Sequence, residues 1–116
     1  MHFHVNYVST SVFGDDDYYQ ATFEAEQESD DPDSPYLLIQ RQFEDPDDHL
    51  CYIETHDEKY CGHFLLRRVD FMPQKLSIEI DRPSDNLINV TFAMAAAEFA
   101  EASQAVKIIS GEIEPP

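Results

Sequence analysis

The sequence is poor in cysteine, glycine and positive charge, and each shortage removes a class of function. Two cysteines, Cys51 and Cys61, cannot frame a disulfide-stapled fold. Their spacing is not the C-x-x-C of a zinc or redox site, so free thiols in a reducing compartment are expected. Three glycines leave no Gly-rich phosphate loop and no Gly-x-Ser-x-Gly elbow, and there is no His-Glu-x-x-His. Catalytic residues are therefore expected to be absent, and no cofactor is implied. Seven Lys plus Arg stand against 24 Asp plus Glu, a net charge of −17. A field of that sign repels phosphate backbones and anionic lipid surfaces, so neither nucleic acid nor membrane is an expected partner. No run approaches ~18 consecutive apolar residues, and residues 1–7 lack the basic and apolar regions of a leader, which implies a cytoplasmic protein.

What is present is a globular composition: 42% hydrophobic and 12% aromatic, with 8 Phe and 6 Tyr. That excludes disorder for the chain as a whole. Its 116 residues are the size of one domain, 1–116, able to bury roughly two-thirds of its unfolded surface.

The dominant periodicity is two, the mark of half-buried strands. Phe3, Val5 and Tyr7 alternate with polar neighbours, as do Tyr19, Ala21 and Phe23, so two strands are expected on either side of Gly14-Asp15-Asp16-Asp17. Residues 27–35 hold no apolar side chain other than proline and read as a solvated loop. Tyr36 to Phe43 is a third strand whose Leu37-Leu38-Ile39 run suggests burial on both faces. Leu50 to Thr55 and Tyr60 to about Val69 form a hairpin by spacing, with Cys51 nearer Phe64 than Cys61. Leu76 to Ile80 and Leu87 to Phe92 complete about seven strands.

The last segment changes period. Ala95, Ala96, Phe99, Ala102, Val106 and Ile109 recur at helical spacing, predicting a helix over 93–109 that packs on the sheet through Phe99, Ala102 and Val106. Gly111 is the stop signal and the tail 112–116 is expected to fray. The expected class is α+β: a mainly antiparallel curled sheet or half-barrel with one C-terminal helix.

Metal chemistry finds little support. His49, His56 and His63 recur every seven residues, a spacing that does not converge across a hairpin, and His2-x-His4 supplies only two imidazoles. Asp31-Pro32-Asp33 starts like an EF-hand loop but lacks its glycine and terminal glutamate. Cys51 beside His49 has no third group to orient the base.

The acids are clustered. Residues 14–48 hold thirteen of them against Arg41 alone, and three loops near 14–17, 27–34 and 44–48 contribute all but Glu24 and Glu26. A merely soluble surface intersperses both signs, so the clustering points to a docking surface for a basic protein. Its expected contacts are Asp15, Asp16 and Asp17, then Asp30, Asp31 and Asp33, then Glu44, Asp45, Asp47 and Asp48.

One pattern is more particular. Asp17-Tyr18 precedes the acidic loop and the strand Tyr36-Leu37-x-x-Gln40-Arg41; an Asp-rich segment precedes Cys51-Tyr52-Ile53-Glu54; and Tyr60-Cys61-Gly62, Leu76-x-Ile78-x-Ile80, Ile88 to Phe92 and a closing helix come after it. Over residues 15 to 110 the chain resembles the immunity protein 10 family of bacterial polymorphic toxin systems. It departs from that family at Cys61, where a glycine is usual, and in a shorter 44–49 segment. The resemblance implies a small cytoplasmic antitoxin that occludes a cognate toxin domain, with Tyr36, Gln40, Arg41, Tyr60 and Gly62 as the motif residues. The alternative reading is an acidic protein-interaction or calcium-binding domain with no toxin partner.

Overall fold

The computed structural model describes residues 1–13, 17–27, 30–43 and 49–113. Along them run β1 (His2–His4), β2 (Tyr7–Phe13), β3 (Tyr18–Glu24), β4 (Tyr36–Gln42), β5 (Cys51–Thr55), β6 (Gly62–Phe64), β7 (Leu66–Met72), β8 (Lys75–Ile80), β9 (Leu87–Thr91) and α1 (Ala96–Ile109). One sheet has the order β1-β9-β8-β7 and the other β2-β3-β4-β5-β6. The pairings are antiparallel except β1 with β9. The α+β class is as expected, but nine strands in two sheets, not closed into a barrel, replace about seven strands in one curled sheet.

The difference has a local cause: two expected strands are each divided between the sheets. The alternation from Phe3 to Tyr7 reads as one strand, yet Val5 N–H donates to the Thr91 carbonyl at 2.9 Å and Asn6 N–H to the Glu24 carbonyl at 3.0 Å. Consecutive amides thus belong to different sheets, and Tyr7 is 45% exposed instead of joining Phe3 and Val5 inside. The expected strand from Tyr60 to Val69 becomes a 3₁₀ turn at Glu58–Tyr60, then β6, then β7. It breaks at Leu65, whose carbonyl accepts from Asp81 N–H at 2.8 Å. Strands that switch sheets make such corners.

The inner faces share one core. Tyr19, Ala21, Phe23, Leu37, Ile39 and Ile53 from one sheet join Leu76, Ile78, Ile80, Ile88 and Val90 from the other. Phe23, Phe71 and Phe92 meet with ring centroids 5.8–6.2 Å apart, and Phe99 of α1 lies 5.0 Å from Phe71. Leu38 is only half-buried, so β4 is covered on one face and not on both. Cys51 pairs with Phe64 in the β5–β6 ladder, and both cysteines are free thiols.

The helix begins at Ala96, three residues later than expected, and Ala95 and Ala96 are exposed. Its buried stripe is Ala102, Ala105, Val106, Ile108 and Ile109, with Phe99 half-buried at its margin. It ends as Gly111 predicts. The Gly111 and Glu112 amides donate to the Ile108 and Lys107 carbonyls, with Gly111 at φ +83°. A Cβ there would also meet Arg41 Nη1 at 3.1 Å. Of the tail expected to fray, Glu112 and Ile113 both donate to the Lys107 carbonyl and Ile113 packs on the core, while 114–116 lie outside the described residues.

Replacing Phe23, which is fully buried, by Ala should cost about 3–5 kcal/mol in urea unfolding. Replacing Phe99 should cost about 1–2 kcal/mol, because its ring is only half-buried. Equal losses would show that the helix buries Phe99 as deeply as the sheet buries Phe23.

Candidate protein-interaction face

Alternation gives the five-stranded sheet a second face, opposite the core. Tyr18, Gln20, Tyr36, Leu38, Gln40, Tyr52 and Glu54 lie on it between the inward-facing residues of β3, β4 and β5. The helix packs on the inner side, where Val106, Ile108 and Ile109 share the cluster of Phe23 and Ile39. Among the described residues, no element covers the outer face.

Its polar groups are tied to one another. The Glu54 carboxylate accepts from the Tyr36 hydroxyl on one oxygen and the Tyr52 hydroxyl on the other, each at 3.0 Å. Burial, and then the bond to Glu54, pushes the Tyr36 phenol up to about 12; the same hydrogen bond is the main cause raising Tyr52. Gln40 Nε2 donates to Gln20 Oε1 at 2.7 Å across the β3–β4 ladder. The His63 ring tilts against Tyr52 with centroids 5.1 Å apart.

Two shallow depressions mark the ends of this face. One, about 180 Å³, is lined by Tyr18, Gln40, Gln42, Leu50, Tyr52 and His63. The other, about 320 Å³, lies where β3 and β4 are connected and is bordered by Glu24, Glu26, Asp31 and Tyr36. Asp31 shapes that connection by accepting from the Asp33 amide on its side chain and from the Ser34 amide on its carbonyl.

Asp17, Asp30, Asp31 and Asp33 are exposed. Asp15, Asp16, Glu44, Asp45, Asp47 and Asp48 lie outside the described residues. Of the described residues beside them, Tyr18 pairs with Gln42 and Phe43 N–H donates to the Asp17 carbonyl at 2.7 Å. Asp30, Asp31 and Asp33 sit at the opposite end of the same two strands.

The motif residues divide by role. Tyr36 and Gln40 are on the open face. Arg41 points the other way: its guanidinium stacks 4.7 Å from the Phe43 ring centroid and lies 3.4 Å from His49 Nδ1. Tyr60 is buried at 6% exposure beneath Arg82, and Gly62 has φ +147° with Phe64 only 3.3 Å from where a Cβ would sit. Those three serve the fold. Sequence reasoning missed Tyr52, Glu54, Gln20 and His63 as site residues; the period-two pattern marked their face, but only cross-strand pairing joins Tyr36 to Glu54.

Among the described residues, no three His, Cys, Asp or Glu side chains converge as metal ligands. His56 packs edge-on to Phe3, away from His49 and His63. Cys51 is buried, which pushes its thiol up to about 12, so it is protonated at neutral pH. No family model matches this chain, and no curated protein or solved structure matches it significantly.

Tyr36 and Cys51 both have folded-state pKa values raised above their ordinary 10.0 and 9.0. Each therefore stabilises the fold fully below its ordinary value, and that contribution is lost as pH rises toward about 12. Stability measured by denaturant should fall across that window, and Tyr36→Phe should make the fall shallower. An unchanged slope would mean that burial and the Glu54 bond do not raise the Tyr36 phenol.

Proposed function

We propose that this protein is an immunity protein that binds a basic toxin domain stoichiometrically and blocks it. The observation that carries the reading is the uncovered tyrosine and glutamine face of the five-stranded sheet, with exposed aspartates at the connection of β3 and β4. Aromatic residues anchor the desolvated centres of protein interfaces, and charges at the rim steer encounter. Tyr36, Tyr52 and Glu54 form the centre. A partner arginine placed there meets a carboxylate already oriented by two hydroxyls and an aromatic ring beside it. Exposed Asp17, Asp30, Asp31 and Asp33, at the two ends of β3 and β4, form the rim.

The resemblance to the immunity protein 10 family points the same way, and the charge of −17 favours a basic partner. Nuclease toxins present such surfaces because they bind phosphates, which makes a nuclease the favoured partner. Nothing in this reading requires catalysis or a cofactor, and the site of action is the cytoplasm of the cell that makes the toxin.

Co-expression with the toxin domain encoded beside the gene should restore growth, and the purified pair should form a 1:1 complex. Tyr36→Ala and Tyr52→Ala should each weaken binding roughly 30-fold, the effect of an interface hot spot. Changing Asp30, Asp31 and Asp33 to Asn should slow association at ~0.01 M salt and matter less at ~0.15 M, where the Debye length shrinks to ~8 Å. Full protection and unaltered affinity in the double tyrosine variant would refute this face as the binding site.

A further inference from the structure

Among the described residues, three of the four sheet edges carry protection against pairing with another chain, and one does not. β1 and β6 are three residues long. β7 carries Arg67, Arg68 and Asp70, and its register against β8 is irregular between Leu66 and Arg68. Short length, charge and bulges are the devices that keep open edges from templating a further strand. β2 has none of them. Its seven residues, Tyr7-Val8-Ser9-Thr10-Ser11-Val12-Phe13, hold no charge and no proline and pair with β3 without a register shift.

The phase of the hydrogen bonds identifies which groups lie on that edge. Phe43 N–H donates to the Asp17 carbonyl and Ala25 N–H to the Pro35 carbonyl, so odd-numbered residues along β3 bond toward β4. Even-numbered residues then bond toward β2, where they pair with Tyr7, Ser9, Ser11 and Phe13. The amide and carbonyl groups of Val8, Thr10 and Val12 are left pointing away from the sheet. Beside them is a groove of about 250 Å³ between β2 and the helix, bordered by Val8, Thr10, Met94, Glu98 and Glu101. Glu98 and Glu101 lie on adjacent turns of α1 and are exposed.

We propose that β2 accepts an extended, lysine- or arginine-bearing segment of a partner protein as an added strand. Backbone hydrogen bonds go to Val8, Thr10 and Val12, and alternate side chains of the segment reach over the groove to Glu98 and Glu101. Charge selects this occupant: a second copy of the chain would bring another −17 to the edge, whereas a basic strand neutralises the two glutamates. The proposal does not rest on the toxin-binding reading, since the edge lies beside the tyrosine face and is probed without a toxin.

The probe is a blocked heptapeptide of alternating lysine and valine added to the intact chain. Hydrogen exchange read by NMR should slow about tenfold or more at the amides of Val8, Thr10 and Val12 and stay unchanged at Ser9 and Ser11, which already bond to β3. A peptide with the same lysines and a central proline should bind about tenfold more weakly, the value of one backbone hydrogen bond. Thr10→Pro removes one open amide without touching the ladder to β3, and should weaken the first peptide by a similar factor. The double variant Glu98→Gln, Glu101→Gln should weaken it further and flatten its salt dependence. Equal binding of both peptides would reduce the effect to bulk charge and overturn the proposal, as would unchanged exchange at the three amides in the unmutated protein. A peptide-free dimer that Thr10→Pro dissolves would overturn it in favour of a second copy.

Discussion

Val5 and Asn6 are neighbours in the chain, yet their amides bond to different sheets. Most of the architecture depends on this switch. It carries the chain from the edge of the four-stranded sheet to the edge of the five-stranded one, so that the inner faces of the two oppose each other across one core. The second corner, at Leu65, returns the chain in the other direction. Arg82 clasps that corner: its guanidinium sits 5.2 Å from the ring centroids of both Tyr60 and Phe64 and donates to the Lys59 carbonyl at 3.0 Å and to the Asp85 carbonyl. A residue after β8 thereby holds the connection between β5 and β6. Cation–π contact and two carbonyl acceptors satisfy an arginine that would otherwise be costly to bring against aromatic surface.

With the inner faces joined, the helix completes the apolar interior, and among the described residues no element covers the outer face of the five-stranded sheet. That face is aromatic and polar together. Tyrosines present large surface area with few rotatable bonds, and the shared carboxylate of Glu54 restricts Tyr36 and Tyr52 further. Carboxylates cannot enter the core without large desolvation cost, and among the described residues no Asp or Glu is buried. The described aspartates at 17, 30, 31 and 33 are exposed at the ends of β3 and β4, and the tyrosines lie on the sheet surface between them. The β2 edge of the same sheet carries no charge.

Much of this pattern is legible in the residues alone. The alternation in β3 and β8 names Tyr19, Ala21, Phe23, Leu76, Ile78 and Ile80 as inward-facing, and all are buried. Gly111 as the helix stop and Cys51 opposite Phe64 come from local chemistry and loop length. The helix start does not, because alanines at 93, 95 and 96 suit a helix wherever it begins, and no side-chain cap marks the first turn. Leu38 misleads for a related reason: its apolarity suggests a covered face, but only the position of the helix decides which face of β4 is covered.

By itself the sequence determined the strand faces, the single C-terminal helix, the free thiols and the clustering of acid along 14–48. These are local properties, set by a side-chain period of two or 3.6 and by composition. Only the tertiary structure decided that Phe3 and Tyr7 belong to different sheets, that Gln40 faces outward and Arg41 inward among Phe43 and Gly111, and that Tyr36 and Tyr52 share Glu54. A strand's period reports the face on which a side chain lies, whereas the partner that receives its backbone hydrogen bonds is chosen by residues far away in the chain.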